Sequence, residues 1–274
     1  MTEPNKPKPE KMNDGSQQPL IHAPNDAIGS LRNYTSARVA LGRSGSSIVT
    51  TDILDFQLAH AQARDAVKVE FDVEHFAQRV RREVPALEEF SIPVLTLNSA
   101  ARDRETFVRR PDLGRVLAEE SAPFLKPSPC DVAFVIADGL SAAAPERNAI
   151  PLFNAAVPIL FEAGWIFGPV CVVKHARVAI GDQIGSRLGA SLSVVLIGER
   201  PGLSSHESLG AYITWQPRPG RTDAERNCIS NIRTGGLNPL AAAQRLFWYL
   251  NEARFRKLSG TALKEAGQET YLAI

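Results

Sequence analysis

The sequence from Cys171 to Asn231 is CVVKHARVAIGDQIGSRLGASLSVVLIGERPGLSSHESLGAYITWQPRPGRTDAERNCISN. Two apolar, β-branched runs in and next to it, Val170 to Val173 and Leu192 to Ile197, are typical of strands buried on both faces of a parallel sheet. The second run ends at a turn-rich segment, Gly198 to Gly202, which carries a carboxylate and a guanidinium. In open α/β sheets ligands bind at the carboxyl ends of the strands, because the loops there diverge and leave a crevice. We therefore predict that this segment forms half of a cofactor site.

The composition is that of an ordinary globular protein, with 44% apolar and 22% charged residues in a chain of 274. The formal net charge of +1 gives no general attraction to nucleic acid or anionic lipid. The three cysteines, Cys130, Cys171 and Cys228, form no CxxC pair, which favours a reducing compartment over a disulfide scaffold or a zinc site. No signal peptide is apparent, and no apolar run approaches the roughly 18 residues that a membrane span needs. We predict a cytoplasmic protein with no nucleic-acid or membrane partner.

Three regions differ in their residue pattern. Residues 1–25 are rich in Pro, Lys, Asn and Gln and nearly free of large apolar residues, which predicts a disordered tail. Residues 26–105 are predicted to form a helical N-terminal region, in which Asp72 caps a helix that Pro85 ends. Residues 106–274 alternate strand patterns with helical patterns. That alternation predicts an α/β domain with a doubly wound, mostly parallel sheet, Rossmann-like or flavodoxin-like.

Several elements of the α/β domain follow from local patterns. Asp131 to Ala137 and Ala211 to Trp215 are predicted strands, because both are short apolar runs bounded by turn residues. A helix is predicted from Pro145 to Gly164. Its two internal prolines, Pro151 and Pro158, predict a kink or a break.

The loops after the predicted strands are the candidate ligand-binding segments. They are Asp138-Gly139, the segment after His175, Gly198 to Arg200, and Asn227 to Asn231, and in a parallel sheet they converge on one edge. The sequence contains no GxGxxG after a strand, no GxxxxGK[ST] and no GxSxG, so ordinary dinucleotide, P-loop and α/β-hydrolase sites are unsupported. None of the five histidines lies in an arrangement typical of a metal site, and we predict no metal ligand.

Two of these loops carry candidate ligand contacts. Glu199 could accept hydrogen bonds from amide or hydroxyl groups of a ligand, or it could instead pair with Arg200 or another surface arginine. Cys228 could contact a ligand through its small, soft side chain, but a buried, inert thiol is the commoner fate of a lone cysteine. The spacing alone favours the inert thiol. By pattern, Val178 is an ordinary apolar residue just past a strand.

Six separated motifs together resemble the small (light) subunit of ethanolamine ammonia-lyase. They are TSARVALGRSGSSIVTTDILDFQLAHAQARDAV, RPDLGRVL, DVAFVIADGLSA, RVAIGDQIG, VVLIGERPGLSSHESLGAY and CISNIRTGGLNP. The resemblance covers roughly Tyr34 to Lys264. It implies an adenosylcobalamin-dependent radical enzyme, a carbon–nitrogen lyase that converts ethanolamine to acetaldehyde and ammonia. The resemblance also implies that the substrate chemistry belongs to the large (heavy) subunit, so no catalytic residue is assigned to this chain.

The resemblance also implies a set of cofactor contacts and a partner. The cobalamin contacts of the family fall on Val178 of RVAIGDQIG, Glu199 of IGERPG and Cys228 of NCISN, at the interface with the large subunit. Members assemble as a hexamer of heterodimers. Because the sequence lacks D-x-H-x-x-G, the resemblance implies that cobalamin keeps its own dimethylbenzimidazole as lower ligand and that the protein encloses the cofactor without ligating cobalt.

One alternative function and one question of location stay open. The first is a stand-alone α/β module that binds a small nucleotide or another anionic ligand at the same strand edge. The second concerns location, because an N-terminal segment directs some relatives into a bacterial microcompartment. The tail of this chain is polar and rich in Pro and Lys, which departs from that pattern.

Overall fold

The structure is a computed structural model that describes residues 21–22, 30–35 and 37–264 of the chain. The predicted disordered tail, residues 1–25, lies outside the described residues apart from Ile21 and His22. The chain divides into two compact units, residues 1–59 and residues 60–274. The boundaries drawn from the sequence after residues 25 and 105 stay predictions.

The first unit contains three short antiparallel strands. They are β1 (Ile21–His22), β2 (Arg43–Ser44) and β3 (Ser47–Ile48), in the order β1-β2-β3. A 3-10 turn (Ser30–Asn33) precedes β2, and helix α1 (Thr50–Lys68) begins in this unit and continues into the second. The Oδ2 atom of Asp52 accepts a hydrogen bond from the backbone N–H of Gly42 at 2.9 Å, which joins the first turn of α1 to the residue just before β2.

The second unit is built on a mixed six-stranded sheet in the order β4-β6-β5-β7-β8-β9. The strands are β4 (Val94–Asn98), β5 (Cys130–Ala137), β6 (Val170–Lys174), β7 (Ala190–Gly198), β8 (Leu209–Trp215) and β9 (Arg226–Ile232). The first four strands of that order are mutually parallel, whereas β8 and β9 extend the sheet in antiparallel fashion. The α/β class and the parallel strands are confirmed. The finer doubly wound, Rossmann-like or flavodoxin-like arrangement is not confirmed.

Helices cover the two faces of this sheet. They are α2 (Val73–Glu83), α3 (Pro85–Glu89), α4 (Arg104–Arg109), α5 (Ala143–Glu162), α6 (Ile180–Leu188) and α7 (Pro239–Arg256). The first core lies between one face and α2, α5 and α7, and the second core lies between the other face and α6. Strand β7 alternates between the two, with Val194 and Leu196 in the first core and Val195 and Ile197 in the second. Burial on both faces explains why its sequence is a continuous apolar run.

Local signals for helix ends are confirmed at α2, and of the kink or break predicted in α5 the break does not occur. The Oδ1 atom of Asp72 accepts a hydrogen bond from the N–H of His75 at 3.0 Å, as expected of an N-cap. The predicted break at Pro151 and Pro158 does not occur, because α5 runs unbroken through both prolines. These prolines are seven positions apart and both are exposed, so the carbonyl groups that lose an amide partner face water, which can bind them.

A buried ion pair joins α6 to the edge strand β9. The two Nη atoms of Arg226 each donate a hydrogen bond of 2.7 Å to a different carboxylate oxygen of Asp182, and both side chains are 2% exposed. The Nη1 atom of Arg226 also donates to the Oγ1 atom of Thr214 on β8 at 3.0 Å. Burial alone would lower the pKa of Arg226, but the hydrogen bonds and charge of Asp182 outweigh it and leave that pKa raised.

Replacing Asp182 by alanine is expected to lower the free energy of unfolding by about 3–5 kcal/mol, because a buried guanidinium loses its counter-charge. Urea unfolding followed by circular dichroism measures the change. The matched control is Glu105→Ala, which breaks a pair with Arg109 whose side chains are 76% and 71% exposed. That control should cost less than about 1 kcal/mol. Equal losses in the two variants would show that the buried pair has no special part in the fold.

Candidate cofactor-binding site

The antiparallel part of the sheet has one open face. Alternate residues of β8 lie in the first core: Leu209, Ala211 and Ile213. The residues between them point to the opposite face, where Tyr212 is half-buried. Helix α6 packs on that side of the sheet mainly over β5 and β7, and its Asp182 also covers one end of β8 and β9 through the buried pair with Arg226. An antiparallel ribbon can leave one face free in this way, and the free face here is lined by small and polar side chains.

Cys228 lies on this open face and not in a strand-end loop. The expectation that residues 227–231 form a loop is wrong, because they lie within β9, with Cys228 directly opposite Tyr212. Cys228 is exposed, so the buried-thiol interpretation is also wrong. The pKa of Cys228 is raised, first by desolvation and further by the charge of Glu199, while a hydrogen bond with Tyr212 opposes the shift. The thiol is therefore a neutral group at neutral pH.

Glu199 follows β7 directly and is held against the same face. Its Oε2 atom accepts a hydrogen bond of 2.5 Å from the Oγ atom of Ser208, and its backbone N–H donates to the carbonyl of Ser208 at 2.9 Å. Within the part of the chain that the structure describes, Glu199 forms no salt bridge, so pairing with Arg200 is not observed. The carboxylate lies next to Gly210, where an added Cβ would be 2.9 Å from Oε1.

Tyr212 connects Glu199 with Cys228. An added Cβ at Gly210 would also be 3.0 Å from the Cε2 atom of Tyr212, so glycine lets the carboxylate and the ring lie side by side. The pKa of Tyr212 is raised by burial first, and then by Cys228 and Glu199. The structure therefore brings Glu199 and Cys228 together around one tyrosine, which the sequence had not singled out.

Val178 lies at a neighbouring position, in a cleft beside the open face. It is half-buried in the loop between β6 and α6 and packs against the second core. The cleft has a volume of about 640 Å³. Its lining comes from three segments and α6: Pro111, Arg115, Val116, Arg177, Val178, Ala179, Asp182, Gln183, Pro219, Gly220, Arg221, Thr222, Asp223 and Arg226. Because Arg226 lies two residues before Cys228 on the same strand, the cleft and the open face adjoin.

Internal contacts occupy part of the carboxyl edge of the parallel strands. Asp138, at the end of β5, is fully buried and pairs with Arg104 at 2.7 Å. His175, at the end of β6, is also buried, and its Nδ1 and Nε2 atoms lie 3.1 Å and 3.3 Å from the Ala101 carbonyl and the Glu70 carboxylate. The predicted convergence is seen between the ends of β5 and β7, where the Leu140 N–H donates to the Gly198 carbonyl at 3.1 Å. A cleft of about 750 Å³ remains at the ends of β4 and β6, but the residues that the family resemblance singles out lie at the open face and at the cleft beside Val178, which are therefore taken as the candidate site.

Sequence reasoning missed the residues of β8 that complete this site. The segment from Ser208 to Thr214 alternates small or polar residues with apolar ones, which is the period of a strand with one free face. The alternation is visible in the sequence, but a mostly parallel sheet predicts ligand contacts only at the ends of its strands.

Among the described residues no group of three or more His, Cys, Asp or Glu side chains could hold a metal ion. None of the described helices is long and apolar enough to cross a membrane.

Comparison with known proteins gives a consistent result over most of the chain. Ethanolamine ammonia-lyase small subunits match it from Azotobacter vinelandii (48% identity over 87% of this chain and 88% of the relative) and from Pseudomonas syringae pv. tomato (46% over 92% and 90%). The small subunit from Bradyrhizobium diazoefficiens is 49% identical over 86% of this chain and 89% of the relative. The family model for the ethanolamine ammonia-lyase light chain matches residues 25–264. The chain therefore belongs to the ethanolamine ammonia-lyase light chain family.

Proposed function

We propose that this chain is the small subunit of ethanolamine ammonia-lyase and that its open sheet face and adjoining cleft form one wall of an adenosylcobalamin site. A large subunit supplies the other wall and the substrate chemistry. The observation that carries this proposal is the grouping of Glu199, Tyr212 and Cys228 on one face of β8 and β9, where Cys228 is exposed, beside the cleft at Val178. Adenosylcobalamin, when bound, supplies the radical chemistry of the reaction.

The residues present fit such a cofactor. A corrin is broad and flat and carries amide groups around its edge, so it needs a flat surface with both hydrogen-bond donors and acceptors. The open face provides an acceptor in Glu199 and neutral donors in Tyr212 and Cys228, whose pKa values are raised. Gly210 adds no side chain to the surface, and Val178 adds an apolar contact at its border. We assign this chain the enclosing of the cofactor and no cobalt ligand.

A large-subunit partner agrees with the exposed apolar residues of the first unit. In α1, the side chains of Ile53, Leu54, Phe56 and Leu58 are 39%, 57%, 44% and 60% exposed. Four large apolar side chains on two turns of one helix are unusual on a free surface and typical of a protein interface. We extend the proposal to the hexamer of heterodimers and the cytoplasmic location that the family resemblance implies, and location inside a microcompartment stays a prediction.

Co-expression with a large subunit of the family tests the proposed function. We expect ethanolamine-dependent release of acetaldehyde only when both subunits and adenosylcobalamin are present, followed through the oxidation of NADH by alcohol dehydrogenase. The large subunit alone, and the complex without the cofactor, serve as controls. An inactive complex, or full activity of the large subunit alone, would contradict the proposal. Tight binding of a nucleotide by the isolated chain would favour the stand-alone module instead.

Glu199→Ala is expected to weaken the binding of adenosylcobalamin to the complex roughly 10-fold, because the lost contact is a charged hydrogen bond worth about 1.5–3 kcal/mol. Equilibrium dialysis with absorbance of the corrinoid measures the affinity. The fold should persist, since Glu199 is half-exposed and its side chain bonds only a neighbouring hydroxyl. Glu89→Ala, at an exposed carboxylate of α3, is the matched control. Unchanged affinity in the Glu199 variant would remove this residue from the site.

Gly210→Ala is expected to reproduce the effect of Glu199→Ala, because the new methyl group displaces the carboxylate and the Tyr212 ring. The same dialysis measures both single variants and the double variant. We expect a combined loss smaller than the product of the single losses, since both changes disturb one contact. Gly202→Ala is the control, because an added Cβ there meets no atom closer than 3.5 Å. Fully multiplicative losses would show that Gly210 acts independently of Glu199.

A further inference from the structure

Two arginines lie at one end of the cleft without a carboxylate partner. Arg115 is exposed on the 3-10 turn Leu113–Arg115, and Arg177 directly precedes Val178. Neither forms a salt bridge within the described ranges of the chain. The backbone N–H of Arg177 donates to the carbonyl of Gly114 at 2.8 Å, so the two arginines come from segments that are bonded to each other.

The guanidinium of Arg177 is held in place. Its Cζ atom lies 4.4 Å from the centre of the Phe107 ring, and its Nη2 atom donates to the Phe107 carbonyl at 3.4 Å. An added Cβ at Gly114 would be 2.8 Å from this ring and 3.0 Å from the Cγ atom of Arg177, so glycine permits the close packing. The Nε atom of Arg177 is buried and has no hydrogen-bond partner.

The other charges near the cleft are already paired. Asp182 binds Arg226 through both oxygens, and Glu225 pairs with Arg221. Asp223 is 94% exposed and lies 3.5 Å from the Nε atom of Arg226.

The carboxylates closer to the two arginines are paired as well. Asp112 pairs with Arg110 at 2.7 Å, and the buried Asp138 pairs with Arg104 at 2.7 Å. The pKa of Arg177 is lowered by burial first and then by repulsion from Arg104 and from Arg115, while the charge of Asp138 opposes the shift. Positive charge at this end of the cleft is therefore in excess, and an anion would relieve the repulsion.

We infer that Arg115 and Arg177 bind the phosphodiester group of the cobalamin nucleotide tail at the Val178 end of the cleft. This inference rests on the proposed cobalamin site. The phosphodiester is the only anionic group on the periphery of cobalamin, since its other side chains are neutral amides. Guanidinium groups match phosphate oxygens in charge and in geometry. The half-buried position of Arg177 strengthens such a bond, because water screens it less. The two residues are positioning residues for the cofactor and take no part in the substrate reaction.

The test compares three corrinoids bound to the complex of both subunits. Adenosylcobalamin has the complete tail, cobinamide phosphate keeps the phosphate but lacks the ribose and base, and cobinamide lacks all three. Arg115→Gln and Arg177→Gln remove charge and retain most of the side-chain stem. We expect each variant to bind the first two corrinoids roughly 10-fold more weakly and cobinamide with unchanged affinity, as equilibrium dialysis measures. The control is Arg187→Gln, an exposed arginine near the end of α6.

The outcomes separate the phosphate contact from other roles. An equal loss for all three corrinoids, or no loss for any, would overturn the inference. Inorganic phosphate should compete with adenosylcobalamin in the wild-type complex and not in the double variant. If phosphate binds the complex but the variants do not distinguish the corrinoids, the arginines hold a free anion and the inference fails. A wild-type complex that binds no cobalamin at all would instead refute the proposed function.

Discussion

The bidentate ion pair between Asp182 and Arg226 fixes the two parts of the candidate site relative to each other. Two charges that are 2% exposed lose most of their hydration, and only paired hydrogen bonds with good geometry offset that cost. Asp182 lies four residues after Val178 and Arg226 two residues before Cys228, so the pair ties the cleft to the open face. On this face of the sheet the pair is the contact that holds the edge strand β9 to α6.

The change from parallel to antiparallel pairing decides where the sheet can accept a ligand. Parallel strands are buried on both faces, and in this protein the loops at their carboxyl ends are filled by internal contacts such as Arg104–Asp138. The antiparallel strands β8 and β9 have the first core on one face, and their other face is polar and only partly covered, with Cys228 exposed. A ligand of broad, flat shape therefore finds its surface on the face of the sheet, with the strand-end residue Glu199 at its margin.

Local patterns were sufficient for most strands and helices but not for the arrangement of the site. The apolar run of β7 and the cap at Asp72 are signals contained in a few neighbouring residues, and both predictions are confirmed. The sequence analysis predicts a strand-end loop at residues 227–231, and this prediction is wrong. In the structure Asn227 is buried, and its side chain donates to the carbonyls of Gly260 and Leu263, partners more than thirty residues away. Such a contact leaves no local trace, and Val178 and Cys228 were identified only through the family resemblance.

The chemistry of the open face suits holding a cofactor more than reacting with it. A thiol or phenol becomes a nucleophile when its pKa is lowered, whereas burial and the nearby Glu199 carboxylate raise the pKa of both Cys228 and Tyr212. Both groups therefore stay neutral and can donate hydrogen bonds to amide carbonyls, while the carboxylate of Glu199 accepts from amide N–H groups. One surface can then bind both ends of an amide without changing its own charge. These properties agree with the proposed role, in which this chain orients and encloses the cofactor and the reacting groups belong to the large subunit.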